Sequence, residues 1–185
     1  MTTTHDGVTL NAENLKELFE ELNTELVKRG QSAQLFIVGG AAMALAYDAT
    51  RSTRDVDAVF YPPLTVRELS ETIAQHHGLE PDWINDAAKG FMPGDDSEAR
   101  TVFETDSLLV QVASPEYLLA MKLHSSRDSR DFDDAVTLFK LMGYTTTDEA
   151  ITLLERRYPA SQLLPRHSHI AEEVARQARS DTGSR

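Results

Sequence analysis

The chain has 185 residues, a formal net charge of -12, no cysteine and a hydrophobic fraction of 41%. That is the size of one domain with a genuine core. The missing thiols exclude disulfides, cysteine-ligated zinc and thiol catalysis, and the acidic balance excludes holding nucleic acid through a broad basic surface, which works by displacing counterions from phosphates. A local basic site and a basic protein partner stay open.

Residues 11–29 predict an amphipathic helix, with Leu15, Leu18, Phe19, Leu22 and Leu26 at helical spacing and Gly30 as its stop. LFIV (35–38) reads as a short buried strand, Gly39 and Gly40 break it, and AAMALAY (41–47) resumes as helix. VDAVF (56–60) is a second strand, closed by Pro62 and Pro63. A helix over 65–77 ends at Gly78. The irregular stretch 79–106 predicts a short helix around DWINDAA, a loop, and a strand beginning near Arg100; SLLVQVAS (107–114) is a third clear strand. Helices are then expected over 116–124, 131–142, 148–157 and 165–178. The expected fold class is α/β (α+β): residues 1–114 form a nucleus with a small mixed sheet flanked by helices, residues 115–180 a helical region packed on it, and residues 181–185 a disordered tail. The opening MTTTHDGVTL has neither the basic nor the apolar region of a secretory signal, and no apolar run reaches the length of a membrane span. A cytoplasmic protein with no membrane partner is expected.

Candidate chemistry begins in the second strand. Side chains two apart on a strand share a face, so Asp55 and Asp57 point the same way. Two such carboxylates repel unless a cation lies between them, which suits Mg²⁺ (or Mn²⁺) completed by substrate phosphates; the alternative is a pair capping a turn at the strand's solvent end. Gly39 and Gly40, between strand and helix, permit close backbone approach, and the helix start beyond them offers free N–H groups and a positive dipole end for phosphate. A plain tight turn is the alternative. Arg51 and Arg54 flank the hydroxyl residues between these features. Guanidinium groups fork onto phosphate oxygens, and Arg51 is the better placed, because Arg54 faces away from Asp55 if the strand has begun.

VGGAAMALAYDATRSTRDVD resembles the nucleotidyltransferase fold of the DNA polymerase beta superfamily, whose signature is a Gly-Gly or Gly-Ser turn followed by Asp-x-Asp at a strand. With PEYLLAMKLHSSRDSRDFDD, which supplies a helical lysine and an Arg-Asp-x-x-Asp element, the chain is similar to the minimal bacterial nucleotidyltransferase-like proteins of the AbiEii and MenT toxin type over residues 35–142. The resemblance implies phosphate contact by Gly39 and Gly40, metal ligation by Asp55 and Asp57, contact of Lys122 with the triphosphate, and a catalytic role for Asp131. Helical spacing separately sets Asp131 beside the inward stripe Phe132, Ala135, Val136, Phe139 and Met142, with Asp133 on the outer face. Asp131 bonded to Lys122 or Arg127 as a structural pair, and Lys122 as a snorkelling lysine, remain the alternatives.

There is one departure. The third catalytic carboxylate of many superfamily members falls on the strand SLLVQVAS, whose central polar residue is Gln111, and a glutamine is no base. Asp131, or Asp106 outside that strand, would then take the role, or transfer is lost. The expected function is Mg-dependent transfer of a nucleotidyl group from a nucleoside triphosphate to a hydroxyl on RNA, tRNA among the candidates, or on protein. The implied setting is the toxin of a toxin–antitoxin or phage-defence pair, with a cognate antitoxin or toxin partner. A nucleotide- or protein-binding module of the same fold without efficient transfer is the alternative. Outside this constellation, His76 and His77 read as a helix C-terminal dipole contact, His167 and His169 lack an acid at ligand spacing, and Trp83 reads as core.

Overall fold

The computed structural model describes residues 8–125 and 129–182. The chain divides into two compact units, one of Met1–Gly90 with Ala99–Ala113, the other of Phe91–Glu98 with Ser114–Arg185. No helix among the described residues is long and apolar enough to cross a membrane.

In the first unit, Asn11 caps α1 (Ala12–Arg29) through a reciprocal pair of bonds with Asn14, and Gly30 ends it in the left-handed conformation at φ 61°. Five strands follow: β1 (Ala33–Ile37), β2 (Val56–Tyr61), β3 (Ile84–Asn85), β4 (Arg100–Glu104) and β5 (Leu108–Val112), with α2 (Gly39–Ala46) and α3 (Pro63–His77) between them. They form a mixed sheet in the order β3-β2-β1-β5-β4. β1 runs antiparallel to β2 and parallel to β5, so Ile37 lies between Ala58 and Val112 while Phe36 lies between Val59 and Gln111.

Alternation then sorts the faces. Leu35, Ile37, Val56, Ala58, Phe60, Val110 and Val112 are buried on one side, where Phe103 meets Phe19 of α1. Phe36, Asp57, Val59 and Gln111 line the other, half-buried side. Asp57 and Gln111 therefore share the more open face of the sheet.

The short helix expected around DWINDAA is instead the two-residue β3 followed by a 3-10 turn over Ala87–Phe91. Pairing to β2 wins over local helix: the Trp83 carbonyl accepts from Val56 N–H, and the buried indole donates to the Ser70 carbonyl at 3.0 Å. Both rings of His76 and His77 bond Glu21 of α1, at 3.0 and 2.5 Å, rather than serving only the dipole of their own helix.

The second unit packs α4 (Pro115–Ser125), α5 (Ser129–Leu141), α6 (Thr147–Arg157) and α7 (Pro165–Thr182) on one another. Residues 91–98 belong here because Asp96 accepts from the Ser114 amide and hydroxyl, and the Tyr117 and Tyr158 hydroxyls donate to the carbonyls of Gly94 and Phe91. Asp181 lies within α7 and accepts from Lys140 and Gln177. The rest of the expected tail, 183–185, lies outside the described residues, as does Arg127.

In this unit His124 stacks between Tyr158 and His167, with ring centroids 4.0 and 4.6 Å away. Both nitrogens of the buried His167 face donors, the Leu164 N–H at 3.0 Å and Arg166 Nε at 3.2 Å. A protonated ring would turn N–H groups toward those donors, a cost that its hydrogen bond to the His124 backbone offsets only in part. Burial first, then His124 and Arg166, holds His167 below the usual imidazole range; Glu155 lines the same cavity of about 310 Å³. An unfolded chain binds this proton below about pH 6.5 and the folded one resists it. Stability is thus complete above that pH and falls as the pH drops, by at most about 1.4 kcal/mol per pH unit for one proton. Thermal melts between about pH 7.5 and about pH 5.5 should show a steeper decline for the wild type than for His167→Phe. Equal slopes would place the acid sensitivity elsewhere.

Candidate active site

The two glycines do not precede α2 but open it. Gly39 is its first residue at φ 66°, and the preceding Val38 N–H donates to the Asp57 carbonyl at 2.9 Å, extending the β1–β2 register by one row. No side chain caps this helix start by a hydrogen bond. A Cβ built on Gly39 would stand 3.0 Å from Asp57 Oδ2; one on Gly40 would stand 3.1 Å from Thr53 Oγ1 and 3.8 Å from Arg51 Nη2. The absence of side chains at 39 and 40 is what lets the helix start approach a carboxylate and a guanidinium together. Arg51 is carried by a turn in which Thr50 bonds the Asp48 carboxylate and the Arg51 N–H reaches the Asp48 carbonyl. Those Thr50 bonds hold Asp48 below the usual carboxylate range. Gly39, Gly40, Arg51 and Asp57 are thus brought together within the first unit, and Arg54 is exposed.

Asp55 reaches the site by another route than strand alternation. β2 begins only at Val56, so Asp55 sits in the bend before it. Its carbonyl accepts from Thr53 Oγ1 at 3.0 Å, and Thr53 is paired through its backbone with Leu10. Its carboxylate Oδ2 lies 3.4 Å from Asn85 Nδ2, and Asn85 is the residue across from Asp57 in the parallel β2–β3 pair. Cross-strand partners share a face, so Asn85 sets the Asp55 carboxylate on the face of Asp57.

The register also places Gln111 on that face, in the row of Phe36 and Val59, with its Nε2 directed to Thr101 Oγ1 at 3.5 Å. Asp106 precedes the first residue of β5, whereas the row of Asp57 adjoins the last residues of β1 and β5. At about 3.3 Å per residue the strand separates Asp106 from that row by roughly 20 Å. Asp106 therefore does not replace Gln111.

Lys122 and Asp131 belong to the helical unit. Lys122 is 7% exposed, so it is not a snorkelling surface residue, and its Nζ donates to Asp131 Oδ1 at 2.5 Å and to Asp134 Oδ2 at 2.9 Å. Asp134 is itself buried at 4%. Of the inward stripe expected on α5, Ala135, Val136 and Phe139 are buried, with Asp134 and Leu138 added, while Phe132 is half-buried and Asp133 exposed. Asp134 is the last member of the Arg-Asp-x-x-Asp element, a signal that apolar periodicity alone passes over.

Asp55 and Asp57 offer hard oxygen donors, which fits a cation that takes the rest of its shell from water and phosphate. Among the described residues no group of three or more His, Cys, Asp or Glu is placed to hold a metal ion. A mixed sheet with a glycine-led helix after one strand and carboxylates at the head of the next defines a nucleotidyltransferase-like protein. The family described as nucleotidyltransferase of unknown function (DUF6036) matches residues 13–148, and the chain belongs to it. A crystal structure of an antigenic nucleotidyltransferase-like protein from Paracoccidioides brasiliensis is similar over 89% of this chain and 94% of that one, at 16% identity and a TM-score of 0.39. No curated protein matches.

Proposed function

We propose that the protein transfers a nucleotidyl group from a nucleoside triphosphate to a hydroxyl on RNA or protein, with Mg²⁺ or Mn²⁺ held by Asp55 and Asp57. The observation that carries this reading is the approach of the Gly39 helix start to the Asp57 carboxylate, where a Cβ would stand 3.0 Å from Oδ2. The N–H groups at Gly39 and Gly40 bind phosphate oxygens, and Arg51 neutralises the charge of the triphosphate. The acceptor hydroxyl oxygen then bonds to the α-phosphorus as pyrophosphate leaves and the hydroxyl proton passes to water. Bound there, the cation would supply charge neutralisation between the phosphates and the attacking oxygen. Gln111 takes no proton from that oxygen.

The resemblance assigns Lys122 to the triphosphate and Asp131 to catalysis. Against the first stands the pairing of Lys122, whose Nζ is already engaged by the carboxylates of Asp131 and Asp134. The AbiEii and MenT likeness, a toxin–antitoxin or phage-defence setting with a cognate partner, and tRNA as acceptor belong to the same proposal. A net charge of -12 suits a protein acceptor better than tRNA. The second reading, a nucleotide- or protein-binding module without transfer, is favoured by Gln111 on the face of Asp57.

The test is incubation with labelled ATP, GTP, CTP and UTP, Mg²⁺, total RNA and cell lysate. Label on an acceptor that disappears in Asp57→Ala supports transfer and identifies the acceptor class. Binding of a triphosphate without label transfer supports the nucleotide-binding form of the second reading, and no triphosphate binding removes both transfer and nucleotide binding.

A further inference from the structure

We infer that Asn85 is a positioning residue for Asp55: its amide Nδ2 holds Oδ2 of that carboxylate and leaves Oδ1 turned to the cation. The inference rests on the proposed role of Asp55 and Asp57 as metal ligands. Asp55 is exposed and precedes its strand, so neither burial nor sheet pairing orients its carboxylate. Asn85 is the side-chain hydrogen-bond partner that the carboxylate has among the described residues.

The orientation of the Asn85 amide is determined from the other side. Oδ1 accepts from the Ala87 N–H at 3.0 Å, so the donor end of the amide must face Asp55. The distance of 3.4 Å is long for a hydrogen bond and leaves room to tighten when Asp55 is drawn into a ligand shell. Ile84 is buried and paired with Val56, and Asp86 is held by Arg67 at 3.1 Å, with Arg67 lying over the Phe60 ring.

A turn-forming role for Asn85 would need Oδ1 alone. Asn85→Ser keeps an acceptor for the Ala87 N–H and removes the amide that reaches Asp55. The experiment is a titration of the full chain with Mn²⁺ alone, free ion being read by electron paramagnetic resonance, alongside thermal melts. Asn85→Ser is expected to weaken Mn²⁺ binding by roughly tenfold or more, the usual effect of losing a partner behind a metal ligand, with an unchanged melting temperature. Asp57→Ala should abolish binding. Wild-type Mn²⁺ affinity in Asn85→Ser overturns the positioning role while leaving the metal reading intact. Failure of the wild type itself to bind Mn²⁺ overturns the metal reading and this role with it.

Discussion

Gly39→Ala is expected to lower nucleotidyl transfer by on the order of tenfold, the effect of moving a reacting group by a few tenths of an ångström rather than a full one. Two costs fall on this position. The backbone is left-handed at φ 66°, and a Cβ would stand 3.0 Å from Asp57 Oδ2. The first costs stability, about 1–2 kcal/mol for a residue other than glycine. The second acts on the carboxylate, because a contact that short forces Asp57 or the helix start to shift. Gly30 separates the two: it has nearly the same conformation, φ 61°, with nothing within 4 Å of a built Cβ. Gly30→Ala should therefore lose comparable stability and keep its transfer rate. Parallel melts and label-transfer rates check this, and an equal loss of transfer in both variants would sink the special role of Gly39.

Lys122→Ala is expected to destabilise the helical unit by about 3–5 kcal/mol, as when one partner of a buried ion pair is removed. Asp134, only 4% exposed, would lose the Lys122 ammonium. Asp131, with a quarter of its side chain exposed, recovers some of the loss through water, which favours the lower end of that range. In a chain of this length the melting temperature should fall by roughly 6–20 °C, at about 2–4 °C per kcal/mol. Lys122→Met combined with Asp131→Asn and Asp134→Asn removes all three charges and should recover much of the loss. The opposite outcome, an unchanged melting temperature with a raised KM for the triphosphate, would return Lys122 to the role that the family resemblance implies.

Much of the fold was legible because it follows local rules. The leucine stripe of α1 with Asn11 before it and Gly30 after it, and the apolar runs of β1, β2 and β5, carry their periods in the sequence. β3 was not legible: two residues have no period, and their partners Val56 and Asp57 lie far back in the chain. Asp134 was missed because a buried acid looks like an exposed one until its cation is placed beside it.

The candidate site divides along the same line. Residue types and short spacing alone determined that two glycines precede an Asp-x-Asp and that residue 111 is a glutamine, which limits any proton transfer there whatever the fold. The tertiary structure decided which of these groups meet. Sheet register set Gln111 on the face of Asp57 and Asp106 at the far end, the left-handed Gly39 brought the helix start against Asp57, and Asn85 drew Asp55 in. Hydrogen-bond pairing between strands fixes faces and rows over long sequence separations, and no local propensity records it.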